Sequence, residues 1–353
     1  MNFNNNIFKN KNIIVTGHTG FKGSWLVACL HLLGAKVTGI SLKTGSSGQF
    51  RYFKKIKIYK DYRFDISDEK KLFKVFKKTK PYFVFHLAAQ ALVFDSIQDP
   101  IKTWKSNLIG TINILNCLNK LKHKCHGIII TSDKCYKNKE ISRGYKELDE
   151  LGGSDPYSAS KASAEISFNS FYQSFLKNKK NIKVVSCRAG NVIGGGDWSR
   201  NRIIPDCIKS WSNRKILTIR SPNATRPWQF VMEPIFGYLV LAKHLVKNQK
   251  INGESFNFGP SSKKMVSVLN LIKLLSKNFK FSKFKVEKEK RVKESTLLKL
   301  NSIKIKKLLN WKTKLSLRET INYISIWYNM FEKNPKLIEN ETTRQIRLFF
   351  QKK

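Results

Sequence analysis

Two rhythms of apolar and polar residues alternate along the first half of the chain. One is a short, unbroken apolar run, the signature of a strand buried on both faces. The other places apolar residues three and four apart, the signature of a helix with one buried side. Residues 12–16 (NIIVT) predict a buried strand, and residues 24–33 a helix with Leu26, Leu30 and Leu33 on one face, stopped by Gly34. A strand follows over 36–40, a third ahead of Asp65, then a helix over 69–78 and a strand over 82–87. Residues 104–121 predict a longer helix through Trp104, Leu108, Leu115 and Leu118. Segments 127–131, 158–175 and 182–187 add a strand, a helix and a sixth strand. This alternation predicts an α/β fold, a Rossmann-type doubly wound parallel sheet with crossover helices.

After Arg188 the texture changes to Gly-, Pro- and Trp-bearing loops between shorter segments. The first domain is therefore expected over 1–187, with residues 228–260 returning to it. A smaller C-terminal substrate-binding lobe is expected over 188–330, closing over the carboxyl edge of the sheet. Residues 331–353 read as a basic, helical tail, and no internal repeat is present.

Composition narrows the function classes. With 353 residues, 41% hydrophobic and 12% aromatic, the chain buries a sizeable core and lies outside the disordered range. No apolar run reaches the roughly 18 residues of a membrane span, and the Asn-rich start shows no signal-peptide pattern. The six cysteines (Cys29, Cys117, Cys125, Cys135, Cys187 and Cys207) form no CxxC pair and no metal-ligand spacing, so free thiols in the cytoplasm and no metal are expected. The charge is strongly basic, 67 Lys+Arg against 24 Asp+Glu for a net of +43. A nucleic-acid partner would explain that, yet the lysines are scattered and no RNA-binding motif or aromatic platform accompanies them. Compositional drift, with Lys, Asn, Ile and Phe abundant together, is the preferred reading, and neither a nucleic acid nor a membrane is expected as a partner.

Gly17-His18-Thr19-Gly20-Phe21-Lys22-Gly23 is a GxxGxxG loop between a predicted strand and a predicted helix. Such glycines permit a tight turn and close backbone approach, so a dinucleotide pyrophosphate can sit on the helix N-terminus. Gly17, Thr19, Gly20, Phe21, Lys22 and Gly23 are the candidate cradle. The acidic residue expected about 20 residues further on for the ribose is absent; the stretch reads Gly39-Ile40-Ser41-Leu42-Lys43. Ser41 suits a ribose hydroxyl and Lys43 a 2′-phosphate, while Asp65-Ile66 is a candidate adenine clamp or simply a helix-capping acid.

Tyr157 and Lys161 lie four apart on one predicted helix and face the same side. The lysine can lower the phenol's pKa and bond the nicotinamide ribose, and the phenol can exchange a proton with a substrate hydroxyl. Ser132 at a strand end completes a redox constellation. Asp133-Lys134 beside it fits an elimination, with the acid protonating a leaving hydroxyl and the lysine taking a proton next to a ketone. The alternative is a solvated acid–lysine pair in a loop, which these residues by themselves leave open.

The runs VTGHTGFKGSWL (from Val15), HLAAQALV (from His86), TSDKCY (from Thr131), LGGSDPYSASKA (from Leu151), RAGNVIGGGDW (from Arg188) and ATRPWQFVMEP (from Ala224) resemble CDP-glucose 4,6-dehydratases of the extended short-chain dehydrogenase/reductase superfamily. They cover residues 12–260 in order. The resemblance implies a retained NAD, CDP-glucose as substrate, and CDP-4-dehydro-6-deoxyglucose as product for deoxysugars of surface polysaccharides. By the same resemblance Ser132, Tyr157 and Lys161 are the oxidoreductase triad and Asp133 the elimination acid. Lys134 stands where related dTDP-glucose enzymes have Glu. Leu87, Ala88, Ala89 and Asn107 join the cofactor site, and Asn191, Arg202 and Arg226 the substrate side. His86, Trp198 and Trp228 read as packing residues. The helices after Pro100 and after Tyr157 resemble a superfamily dimer interface, implying a homodimer or homotetramer. A 4-epimerase on the same scaffold, or a basic nucleic-acid-binding protein with a Rossmann core, are the alternatives.

Overall fold

The computed structural model describes residues 6–43, 48–247, 249–260, 265–287 and 297–352; the first five residues of the Asn-rich start and Lys353 lie outside them. Seven parallel strands form the central sheet: β1 Asn12–Thr16, β2 Lys36–Ser41, β3 Lys60–Arg63, β4 Phe83–His86, β5 Cys125–Ile130, β6 Ile182–Ala189 and, after four short strands, β11 Ser255–Phe258. The short ones are β7 Val192–Ile193, β8 Leu217–Ile219, β9 Thr225–Arg226 and β10 Gln229–Phe230. The sheet order is β11-β6-β5-β4-β1-β2-β3. Strand order reverses at β1, so the carboxyl ends of β1 and β4 border the crevice where such sheets bind ligands. The expected doubly wound sheet is present.

Strands β1, β4 and β5 bury both faces because their runs are largely apolar, whereas the edge strand β3 (KDYR) is only partly buried. Ile13, Val15, Phe83, Phe85, Ile128 and Ile130 join one core. The residues between them, Ile14, Val84 and Ile129, join the other. The first core packs against helices α1 Phe21–Leu32 and α8 Met232–Lys247, and the second against α2 Glu69–Thr79, α5 Gly110–Asn119 and α6 Pro156–Phe171.

The helix expected over 104–121 begins earlier. After a short α3 (Val93–Gln98), Pro100 opens α4 (Pro100–Trp104), whose N-cap Asp99 accepts from Lys102 N–H at 2.9 Å. A π turn over Lys105–Ile109 joins it to α5; such turns re-aim side chains and gather at functional sites. Likewise α6 starts at Pro156 behind an Asp155 cap bonded to Ser158 N–H at 2.9 Å.

Later in the chain, α8 packs on the first core and β11 hydrogen-bonds β6. Outside the seven-stranded sheet lie α7 Ile203–Ser212, a two-stranded pairing of β9 with β12 (Val266–Ser267), α9 Val268–Ser276, and β13 Phe284–Val286 beside β8. Two helices and a short α10 (Ile303–Leu309) complete the chain. The expected boundary at residue 331 falls inside α11, Leu317–Lys333. What reads as a basic tail is α12, Ile338–Gln351, which buries Ile338, Ile346, Phe349 and Phe350 in the first core. Lysine abundance hides that apolar face from a composition-based reading.

Candidate active site

The glycine loop turns sharply between β1 and α1. Gly17 has φ +71, and a Cβ there would lie 2.8 Å from Ala88 N. A Cβ on Gly23 would lie 2.0 Å from Gly17 O, so the loop and the first turn of α1 pack backbone to backbone. Gly20 is the N-cap of α1 and supplies no side-chain acceptor, leaving the first amides of the helix to a ligand. Thr19 Oγ1 lies 2.9 Å from Ser41 Oγ at the end of β2. Asp65 caps its own turn, accepting from Ser67 N–H at 2.8 Å, and Ile66 is buried beneath Gly110 of α5.

The strand-end motif of β4 is held by a chain of hydrogen bonds whose directions can be assigned. Thr111 donates to Asn107 O at 2.7 Å, so its oxygen accepts from His86 Nε2–H at 3.1 Å. The other ring nitrogen, Nδ1, then accepts from Thr16 Oγ1 at 2.8 Å, and Thr16 accepts from Ala88 N–H at 3.2 Å. Burial, assisted by the charge of Lys161, pushes His86 down to about 3, so the ring is neutral. The imidazole fixes the Leu87–Ala89 backbone over the crevice as a packing residue. Asn107, on the π turn, uses its amide as a clamp: it accepts from Gln90 N–H at 2.8 Å, and donates to Gln90 O at 3.0 Å and Ser160 Oγ at 2.9 Å.

Ser132 ends β5 and caps a short 3-10 turn, Asp133–Cys135. Its hydroxyl donates to Asp133 Oδ1 at 2.9 Å, accepts from Lys134 N–H at 3.2 Å, and reaches the Tyr157 phenol. Asp133 is buried, and its Oδ2 has no hydrogen-bond partner among the described residues. A Cβ on Gly190 would lie 2.0 Å from that oxygen, so this glycine leaves room for it. Lys134 is half-buried beside it. Tyr157 and Lys161 are both buried on α6.

The site is electrostatically charged towards anions. Burial brings Lys22 down to about 8, helped by the positive charge of Arg202 and opposed by Asp133. Burial also brings Lys161 to about 8, with Lys22 pushing down and Glu165 pulling up. The phenol of Tyr157 stands above its ordinary value through burial, against the Ser132 hydrogen bond, with the Asp133 charge adding to the rise. Lys161 was expected to lower that phenol, and desolvation wins instead. A glycine cradle, two desolvated lysines and an unpaired buried carboxylate oxygen fit a pyrophosphate-bearing cofactor with a hydroxyl-rich substrate against it.

The substrate-side residues are placed differently from one another. Arg202 caps α7, lies 3.3 Å from Asp197 Oδ2, and reaches the Ala91 carbonyl at 3.5 Å, so it spans the glycine-rich signature loop and the loop after β4. Its charge acts on both Lys22 and Tyr157. Asn191 occupies a left-handed position (φ +41), and its carbonyl accepts from Gln229 N–H at 3.2 Å. Arg226 lies on β9, with Nη1 2.8 Å from Thr225 O. Trp198 packs on Phe331 at 4.7 Å and on Tyr328 at 5.3 Å of α11, and Trp228 donates to Val266 O at 3.0 Å.

Three contributors escaped the sequence reading. Asp197 holds Arg202, and its carbonyl accepts from Tyr328 OH at 2.7 Å. Gly190 makes room for Asp133. Glu165, one turn after Lys161, meets Arg188 of β6 at 2.7 Å and also accepts from Thr131 and Ser186. Burial raises that carboxyl, but the Arg188 charge and these hydrogen bonds outweigh it and hold it below its ordinary value. The YxxxK helix is thereby tied to the strand ends that carry Ser132 and Asp133. The only hint in the sequence is that all three lie inside or beside the long motifs.

Comparison with known proteins agrees with this geometry. The profile of the family described as GDP-mannose 4,6 dehydratase matches residues 14–324. The chain is 36% identical over 339 residues to a CDP-glucose 4,6-dehydratase of Salmonella typhimurium, covering 94% of each protein. An epimerase of Methanothermobacter thermautotrophicus superposes with a TM-score of 0.81 at 23% identity, over 94% of this chain and 95% of that one. A UDP-glucuronic acid 4-epimerase of Bacillus cereus, solved with UDP-glucuronic acid and NAD, superposes with a TM-score of 0.76 at 23% identity, over 90% of this chain and 99% of that one.

Proposed function

The chain belongs to the GDP-mannose 4,6 dehydratase family, and we propose that it converts CDP-glucose to CDP-4-dehydro-6-deoxyglucose and water. The observation that carries the reading is the Ser132–Asp133 hydrogen bond beside the buried Tyr157 phenol, an oxidation site next to an elimination acid. A 4-epimerase needs Tyr157 and Lys161 but has no use for a buried acid with a free oxygen. NAD held along the glycine loop would supply the hydride chemistry, oxidation at C4 and reduction at C6, with no net consumption of the cofactor.

The chain's own residues move the protons. Tyr157 takes the C4 hydroxyl proton while passing its own to Ser132, which passes its own to Asp133 Oδ1 over 2.9 Å. A buried phenol with a raised pKa suits this relay better than permanent ionisation. Asp133 is thus left protonated, and gives that proton to the departing C6 hydroxyl as water leaves. Lys134 takes the C5 proton, made acidic by the C4 ketone, and returns it to C5 when C6 is reduced. Protons and hydride balance over the cycle. Gly17, Thr19, Gly20, Phe21, Lys22 and Gly23 hold the cofactor pyrophosphate; Arg202 and Arg226, with Asn191, hold the substrate diphosphate side, where guanidinium groups make bidentate, charge-assisted bonds. The test is purified protein with CDP-glucose: a 4-keto-6-deoxy product identified by mass and by its alkaline chromophore is expected, and CDP-galactose instead would overturn the reading.

We place the reaction in the cytoplasm, as part of deoxysugar supply. All six cysteines are free and buried, as in a reducing compartment, and no helix among the described residues is long and apolar enough to cross a membrane. A homodimer is supported by the outer side of α3, α4 and α6, where Phe94, Ile97, Ile101 and Ile166 are exposed on helices that pack side by side.

A further inference from the structure

No acidic residue stands at the end of β2, where dinucleotide sites commonly carry one for the adenosine ribose. Strand register brings one in from the neighbouring strand. β2 and β3 pair in parallel with Gly39 opposite Asp61 and Ser41 opposite Arg63. Side chains opposite one another in register point to the same face of the sheet. Arg63 therefore stands beside Ser41, whose buried hydroxyl meets Thr19 of the glycine loop at 2.9 Å. The Arg63 guanidinium lies 2.6 Å from Asp61 Oδ2 through Nη2 and 3.5 Å from Leu42 O through Nη1. The other oxygen of Asp61 lies 3.2 Å from Nε2 of His18, a fully buried ring within the glycine loop. Burial, against the attraction of Asp61, pushes His18 down to about 4, so the ring stands beside the carboxylate without adding a charge of its own.

We propose that Asp61 and Arg63 decide whether this site accepts an adenosine ribose with a free or a phosphorylated 2′ position, Asp61 holding back an arginine otherwise suited to the phosphate. The inference rests on the reading that a dinucleotide lies along the glycine loop. An arginine at the ribose end is the residue that accommodates a 2′-phosphate, and its fork matches phosphate oxygens in pairs. Asp61 opposes such a ligand twice, by occupying the guanidinium and by repelling a second anion. Both effects have the same sign, and both vanish when the carboxylate is neutralised. Asp61 thus performs, from β3, the discrimination usually performed from the end of β2. The Asp61 and Arg63 side chains are 35% and 31% exposed, so the pair remains partly open to solvent and its effect is of the modest, salt-sensitive kind.

The test is calorimetric titration of cofactor-stripped full-length protein with NAD⁺ and with NADP⁺ at one fixed low salt concentration. The unmodified protein is expected to bind NAD⁺ more tightly. Asp61→Asn, which keeps the size of the side chain and removes its charge, should shift the NADP⁺ to NAD⁺ affinity ratio towards NADP⁺ by about five- to tenfold. Arg63→Gln, at a partly exposed position, should change the ratio little by itself but cancel the shift when combined with Asp61→Asn. If both dinucleotides bind and the ratio is the same in all four proteins, this inference is overturned while the dinucleotide reading stands. If neither dinucleotide binds the unmodified protein, both fall together.

Discussion

The Ser132 hydroxyl donates to Asp133 Oδ1 at 2.9 Å, while the other oxygen of the same carboxylate has no hydrogen-bond partner among the described residues and fills the place a Cβ on Gly190 would take. One oxygen is thereby wired to the oxidation side of the site and the other is buried against Gly190. On the proposed reading, the two half-reactions share this carboxyl group.

That sharing predicts how variants separate. Asp133→Asn removes both the last acceptor of the relay and the elimination acid, so product formation should fall by about 10²- to 10⁴-fold. Lys134→Ala removes only the C5 base. Stopped-flow absorbance should therefore show rapid cofactor reduction in Lys134→Ala and slow reduction in Asp133→Asn. Normal turnover and normal C5 hydrogen exchange in Lys134→Ala would remove the lysine from the mechanism.

Gly190→Ala makes a sharper test of the free oxygen. The added methyl would lie 2.0 Å from Asp133 Oδ2, so the carboxylate must move. We expect elimination to slow by at least about tenfold with substrate KM nearly unchanged, because positioning errors of this size act on the chemical step. A loss confined to KM would mean that Gly190 serves substrate binding instead.

These relationships mark where sequence reading ran out. Tyr157 and Lys161 were legible because a spacing of four on a helix brings two side chains together without any knowledge of the fold. The glycine loop was legible for the same local reason. Gly190 against Asp133, Arg63 opposite Ser41, and Glu165 on Arg188 are contacts between neighbouring strands, their ends and a crossover helix. They depend on register and on which strands are neighbours, which one chain's apolar pattern does not specify. The packing of α12 was missed for another reason: Phe349 and Phe350 were outweighed by a count of basic residues, although a helix needs only one apolar side to dock.

Cofactor affinity should depend on pH through the two desolvated lysines. Lys22 and Lys161 both sit near 8, and each must be protonated to attract the pyrophosphate and ribose. Affinity for NAD⁺ should be level below pH of about 8 and fall above it, by at most about tenfold per pH unit for each lysine. Titrating the apoprotein with NAD⁺ across that range checks this. Lys22→Met should weaken binding at neutral pH and flatten the alkaline decline, and an unchanged profile would remove Lys22 from the cradle.

The exposed apolar residues on α3, α4 and α6 predict an association that charge can break. Ile101 and Ile166 are 63% and 58% exposed, on helices that pack side by side. Ile101→Lys with Ile166→Lys should convert a dimer to a monomer in light scattering while leaving the far-ultraviolet circular dichroism intact. A dimer that survives both substitutions must use another surface.

The buried Glu165–Arg188 pair should matter more for stability than any ion pair at the surface. Its side chains are 1% and 4% exposed, and Arg188 also donates to Tyr136 OH at 2.7 Å and Glu147 O at 2.8 Å. Glu165→Ala would leave a guanidinium buried without its counter-charge, at a cost of about 3–5 kcal/mol. Glu165→Gln keeps the shape and part of the hydrogen bonding, and should cost less. Because Glu165 also raises the pKa of Lys161, the glutamine variant should start its alkaline loss of NAD⁺ affinity at a lower pH than the unmodified protein. A purely structural role for Glu165 would shift the melting temperature and leave that onset where it was.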